Sequence, residues 1–220
     1  MKFLMGVAVL ILVFVISFSW LFEVYTWNQK VTISVDTPDG EKRGASVMRV
    51  SYDMSSDYFN SLAGRSGKFE LTGEAAFVEV APGRYLFVLL KGAKNWAWVA
   101  ICDRCEATMT VRGPLIQNLK IPIDLLRLRY SYPTLVTFDD TNNPMTVREV
   151  DPNDLAATFG PGYALRSLTL GITKEPVTAG KVESVLAWLL GLNGGYLHGG
   201  STSRGAPLGL YGGNFKVKER

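Results

Sequence analysis

Residues 31–52 read VTISVDTPDGEKRGASVMRVSY, and their pattern decides the fold. Val31, Ile33 and Val35 alternate with Thr32, Ser34 and Asp36. Successive side chains of a strand point to opposite faces, so this run is a strand with one face buried and one wet. Thr37-Pro38-Asp39-Gly40 follows. Proline presets the first turn position and glycine supplies a positive φ, so the chain reverses there. The run to Tyr52 is the returning strand.

The same reading extends downstream. Residues 69–90, FELTGEAAFVEVAPGRYLFVLL, set two apolar runs around Ala81-Pro82-Gly83-Arg84, a second hairpin. A third is expected over residues 96–111, WAWVAICDRCEATMTV, with Asp103 and Arg104 at its tip. In residues 118–130, NLKIPIDLLRLRY, Pro122 marks an edge strand or a break, because proline cannot donate to a ladder. Residues 135–139, LVTFD, form another strand running into the turn cluster Asp140-Thr141-Asn142-Asn143-Pro144.

The texture changes at Asp151. Asp151-Pro152-Asn153-Asp154 is a helix start, with an N-cap acceptor, proline at the first helical position and a second acid in the first turn. That helix ends at Gly160-Pro161-Gly162, and residues 167–173, SLTLGIT, alternate like a strand. A helix is expected over 179–190, where Val182, Val185, Leu186 and Leu189 recur at helical spacing. Thr178 is its N-cap and Gly191 its stop. From Gly191 to Gly213, nine of 23 positions are glycine. Tyr196, Leu197, Leu208, Leu210 and Tyr211 interrupt them, which suits an irregular segment laid over the surface.

Upstream the chain is of another kind. Residues 3–22, FLMGVAVLILVFVISFSWLF, carry no charge over twenty positions. At about 1.5 Å per residue such a helix spans about 30 Å, the thickness of a bilayer core. Trp20, Tyr25 and Trp27 stand at the polar boundary, where amphipathic aromatics settle. The stretch SWLFEVYTW has no small-x-small site, so retention as an anchor is favoured over cleavage as a signal peptide. Lys2 and the α-amino group precede the run and Glu23 follows it. The positive-inside bias then puts the N-terminus in the cytoplasm and the bulk outside.

Composition narrows the classes. With 47% hydrophobic and 20% charged residues the chain is globular, not disordered. A net charge of +3 without a run of Lys and Arg excludes a nucleic-acid groove. The basic end, Lys216, Lys218 and Arg220, reads as a solvated tail. The fold expected is mainly β: a transmembrane helix with its flank over residues 1–28, an antiparallel β-sandwich or rolled sheet over 29–145, and a small α+β element with a glycine-rich tail over 146–220.

Chemistry-bearing patterns are few. Cys102 and Cys105 frame Asp103 and Arg104. In an oxidising compartment the pair is a local disulfide at a hairpin tip. The alternative is a redox pair, with Arg104 favouring the thiolate. Metal binding would need further ligands, and His198, the one histidine, is far away. Trp96 and Trp98 at i and i+2 would share a strand face, either as core or as an exposed platform for sugar rings. Asp139, Asp140, Asn142 and Asn143 offer oxygen ligands for calcium, but an ordinary turn uses the same residues. Glu70, Glu74 and Glu79 lie along one hairpin without marking an acid/base pair. His198 sits in a glycine loop, without the G-x-S-x-G elbow a serine nucleophile needs and without a Walker lysine.

VTISVDTPDGEKRGASV, residues 31–47, resembles the opening of carboxypeptidase-regulatory-like and transthyretin-like β-sandwich modules, which show a strand, a polar turn and then Gly-Ala-x-Val, here Gly44-Ala45-Ser46-Val47. The whole layout is similar to uncharacterised bacterial single-pass membrane proteins. Residues 137–162 and 175–189 carry that resemblance, which implies a bacterial envelope setting and no particular activity. The function expected is that of an envelope protein in the inner membrane, its globular part extracytoplasmic, acting as a non-enzymatic binding or scaffolding module without a cofactor. Its partners would be the bilayer and an envelope protein or cell-wall polysaccharide. Thiol–disulfide chemistry at Cys102 and Cys105 and an accessory-subunit role are the alternatives.

Overall fold

The computed structural model describes residues 24–54, 68–101, 108–128, 132–192, 197 and 209–218. The apolar run 3–22, Cys102, Cys105 and His198 lie outside the described residues. The chain divides into two compact units, one of residues 1–26 and 51–70, the other of residues 27–50 and 71–220.

Both sheets are built from antiparallel pairs. β1 (Val24–Thr37) and β2 (Gly40–Asp53) are the long hairpin. β3 (Lys68–Glu74) follows, then β4 (Ala76–Ala81) and β5 (Arg84–Val88). Later come β6 (Ile123–Asp124), β7 (Leu135–Phe138), β8 (Val147–Val150), β9 (Ala164–Thr173) and β10 (Lys216–Val217). One sheet has the order β10-β3-β2-β1-β9-β6 and the other β4-β5-β7-β8. β8 and β9, from beyond residue 146, thus complete the two sheets.

Each hairpin forms where the turn chemistry demands. Gly40 has φ +106°, and the Thr37 hydroxyl donates to its carbonyl at 2.7 Å. Gly83 has φ +71°, and its N–H donates to the Glu79 carboxylate at 2.9 Å. Only glycine takes these φ values without cost. Val31, Ile33 and Val35 are fully buried, as their alternation requires, but Ser34 on the opposite face is buried as well, so that face is not the wet one expected. β6 starts directly after Pro122 and lies at the sheet edge, where a missing N–H costs nothing.

The larger unit buries an aromatic cluster against the four-stranded sheet. Phe87 from β5 meets Phe138 from β7 at 5.7 Å and Phe215 from the C-terminal segment at 6.2 Å. Trp188 closes on Phe138 and Phe215, both at 5.8 Å, and donates its indole N–H to the Thr141 carbonyl at 2.9 Å. Edge-to-face and tilted pairs at such spacings add to plain burial. In the smaller unit, Tyr52 meets the edge of Phe69 at 4.6 Å, and Lys68 pairs with Glu70 at 2.7 Å.

Three expectations are corrected. The third hairpin is helical: α1 (Trp96–Ile101) and α2 (Met109–Gln117) replace it. The helix after Asp151 starts later, as α3 (Ala156–Phe159); Asp151 accepts from the Asn153 N–H in a turn, while Asp154 accepts from the Ala157 N–H at 3.0 Å. The helix over 179–190 shortens to α4 (Lys181–Val185) followed by a 3-10 turn, Ala187–Leu190. Thr178 does not cap it. Its hydroxyl accepts from the Val47 N–H and its own N–H donates to the Val47 carbonyl, both at 2.9 Å.

Candidate functional site

A cleft lies where β5 leaves its sheet. Leu89 still bonds Thr134, and the Leu90 N–H donates to the Asn214 carbonyl at 2.8 Å. The chain then turns at Lys91-Gly92, where Gly92 has φ +82°, into a 3-10 turn, Ala93–Asn95. A relay pins that turn from behind. The Trp27 indole donates to the Gln29 side chain at 3.2 Å, and Gln29 donates to the Ala93 carbonyl at 2.9 Å. Gln29 and Ala93 are both buried, so the loop is held by satisfied polar groups and not by its exposed residues.

The opposite wall is the C-terminal segment. The Asn214 side chain accepts from the Tyr211 N–H at 2.9 Å, and the Asn214 N–H donates back to Tyr211 at 2.9 Å. The Phe215 carbonyl accepts from Ala75 at 2.8 Å, and β10 pairs Lys216 with Glu74 and Val217 with Gly73. Between the walls is a cleft of about 320 Å³. Leu71, Leu90, Leu210 and Val217 supply apolar lining, Lys91 and Lys94 the charge, and Tyr211 and Asn214 the polar groups. Among the described residues its lining contains no carboxylate. Such a site suits a small or extended ligand with negative charge, its apolar part against the leucines and its acid at the lysines.

Gly212 and Gly213 also edge a second hollow of about 260 Å³ lined by Glu183, Leu189, Leu190, Leu192, Lys216 and Lys218. Here Lys216 is committed to Glu183, and it sits in β10 rather than in the solvated tail expected from its position. Leu210 and Phe215 are core residues, so this segment goes deeper than the surface covering the glycine content suggested.

Trp96 and Trp98 do not share a face. On helix α1, residues two apart point to nearly opposite sides. Trp96 is fully buried, whereas Trp98 is half-buried with the Arg112 guanidinium 3.9 Å over its ring. Arg112 also donates to the Trp98 carbonyl at 3.5 Å. The flat two-ring platform is therefore replaced by one core indole and one cation–π stack.

The acidic leads are occupied by structure. Asp140 accepts from the Asn142 N–H at 2.9 Å, Asn143 accepts from the Met145 N–H at 3.0 Å, and Asp139 pairs with Arg148. These are the bonds of a turn. Glu70 is paired with Lys68, Glu79 holds the Gly83 N–H, and Glu74 is buried. Among the described residues no group of three or more His, Cys, Asp or Glu side chains is arranged to hold a metal ion. The lysine-lined cleft was missed in the sequence because its parts lie more than a hundred residues apart; the one local signal is a glycine turn flanked by two lysines, Lys91-Gly92-Ala93-Lys94.

No family model, curated protein or solved structure matches this chain.

Proposed function

We propose that the chain is a membrane-anchored β-sandwich module of a bacterial envelope that binds an anionic partner and carries out no reaction on it. The observation that carries the reading is the cleft between Leu90–Lys94 and the C-terminal segment. Its walls are fixed by backbone bonds, and among the described residues its charge comes from Lys91 and Lys94. A preformed cleft loses little entropy on binding, which favours a recognition role. The uncharged run 3–22 supports the anchor, and Lys2 before it and Glu23 after it support a globular part outside the cytoplasm. The opening strand, turn and Gly44-Ala45-Ser46-Val47 support the sandwich resemblance.

The binding test uses the full chain in detergent micelles and a fluorescein-labelled tetraglutamate peptide as probe, read by anisotropy. Saturable binding is expected, weakened roughly tenfold or more by K91E/K94E, since reversing two charges turns attraction into repulsion. A tetralysine probe should not bind. Equal binding by both probes, or no effect of the double charge reversal, refutes the reading. Placement is tested separately with a membrane-impermeant maleimide on spheroplasts, before and after reduction. Labelling of Cys102 and Cys105 in intact spheroplasts supports an outside location. Labelling only after lysis overturns it.

A further inference from the structure

β10 ends the order of its sheet, and its outer edge has no neighbour among the described residues. The bonding pattern says which groups that edge presents. The Phe215 carbonyl accepts from the Ala75 N–H, so it points toward β3. Antiparallel pairing alternates, a bonded pair followed by an unbonded one. Lys216, opposite Glu74, therefore stands at an unbonded position, with its N–H and carbonyl aimed away from β3. An open edge of this kind is a template for a further strand.

The two hollows that Gly213 borders lie on opposite faces of this edge. Leu71 and Val217 line the first. Val217 pairs with Gly73, two residues along β3 from Leu71, so both side chains share one face of the sheet. Lys216 lines the second, on the other face. It pairs with Glu74, whose carboxylate bonds the start of α4, the helix that carries Glu183. The two hollows differ in chemistry. The first holds the exposed Lys91 and Lys94. In the second, Glu183 takes up Lys216, and Leu189, Leu190 and Leu192 form an apolar wall in which Leu190 is 69% exposed.

We propose that β10 takes up an extended segment of a partner protein as an added strand, and that this segment carries an apolar residue between two acidic ones. The proposal deepens the anionic-partner reading and rests on it. Successive side chains of an added strand point to opposite faces. The residue opposite Lys216 points to the leucine-walled hollow, and its two neighbours point to the face of Lys91 and Lys94. Acids at those two positions meet the lysines, whereas an acid at the middle position faces leucines. Strand addition divides the work in this way: main-chain bonds hold any extended sequence, and pockets for alternate side chains select among them. β10 has only two residues, so the main-chain bonds are few and the hollows do most of the selecting.

The test uses the full chain in detergent micelles and a fluorescein-labelled heptapeptide of alternating leucine and glutamate, read by anisotropy. A control peptide has the same composition with the leucines and glutamates in separate blocks. Two further peptides keep the alternating sequence and are N-methylated, one at its leucines and the other at its glutamates. Alternate residues present their N–H groups on one edge of a strand, so each methylated peptide loses the donors of one edge. The alternating peptide is expected to bind roughly tenfold tighter than the block peptide, and one methylated peptide to lose roughly tenfold while the other binds as before. Loss at the leucines means antiparallel addition and loss at the glutamates parallel addition, because the residue opposite Lys216 faces β10 only in the antiparallel case. L190S is expected to weaken the alternating peptide roughly fivefold by removing apolar contact, and to leave the tetraglutamate probe unaffected. Equal affinity of the alternating and block peptides, or of the two methylated peptides, overturns the added strand. So does a dimer of the chain that the peptide fails to dissociate, which puts a second copy on the edge. In either case the anionic reading stands as long as K91E/K94E still weakens tetraglutamate binding. A chain on which that double variant has no effect sinks the anionic reading and the added strand with it.

Discussion

The carboxylate of Glu74, at the end of β3, accepts a hydrogen bond from the backbone N–H of Lys181 at 3.0 Å, joining two residues 107 positions apart. Lys181 opens α4, whose preceding residue is Gly180 and which has no side-chain cap of its own. The acid therefore satisfies a donor that the helix start leaves open. Glu74 is 1% exposed, and its own carbonyl accepts from the Ser46 hydroxyl at 2.7 Å. E74A removes the acceptor from the part-buried Lys181 N–H, a loss of about 1 to 1.5 kcal/mol. E74Q retains an oxygen acceptor and loses about half as much. Urea unfolding of the three proteins checks this, and equal losses for the two variants would mean the hydrogen bond is not the reason for the acid.

Gly44 is required for a different reason. A Cβ built on it would stand 1.7 Å from the carbonyl oxygen of Phe77, so β2 and β4 meet backbone to backbone there. Nothing flexible can move aside. G44A is expected to cost about 3 kcal/mol or more, at the upper end of overpacking. At Gly40 the space is open and only the positive φ resists a side chain, so G40A should cost about 1 kcal/mol. Thermal denaturation of the two variants side by side decides it; a Gly44 variant as stable as the Gly40 variant would disprove the close approach.

The hairpins were legible because their signals are local: alternation in Val31–Val35, proline with glycine at Thr37–Gly40 and at Ala81–Arg84. Residues 96–111 misled because WAWVAI and TMTV are rich in β-formers. Tertiary context overrode that preference. Trp96 is buried and Arg112 covers Trp98, contacts that a helical pair makes and a hairpin would not. The helix expected over 179–190 had the right period but the wrong cap, since its acceptor comes from Glu74, a residue that no local rule connects to it. The cleft was illegible for the same reason. Lys91 and Tyr211 become neighbours because the Leu90 N–H bonds the Asn214 carbonyl and β10 pairs with β3.

Phe215 tests whether the C-terminal segment is covering or core. It is fully buried and meets Phe87, Phe138 and Trp188 at 6.2, 5.9 and 5.8 Å. F215A removes a ring from the centre of an aromatic cluster, which costs about 3 to 5 kcal/mol. F215L fills most of the volume and should cost under about 1.5 kcal/mol. Guanidinium unfolding followed by tryptophan fluorescence measures both. A loss under 1 kcal/mol for F215A would return the segment to the surface.

Glu175 supplies the pH dependence. Lys30 donates to both of its carboxylate oxygens, at 2.8 and 2.9 Å, and that bond holds its pKa below the ordinary value of 4.5. Proximity to the Lys30 charge and a weaker bond from Thr173 act in the same direction, and desolvation opposes them. A carboxyl depressed in the folded state contributes stability above its unfolded pKa and loses it as pH falls through the folded value. The pair is exposed on both sides, so salt screens it. E175Q should therefore be less stable than the parent at neutral pH by an amount that is constant down to pH 4.5, shrinks below it, and is smaller throughout in high salt. Thermal unfolding of both proteins across that range at low and high salt tests the assignment. A difference that persists undiminished well below pH 4.5 would trace the stabilisation to the shape of the side chain and not to its charge.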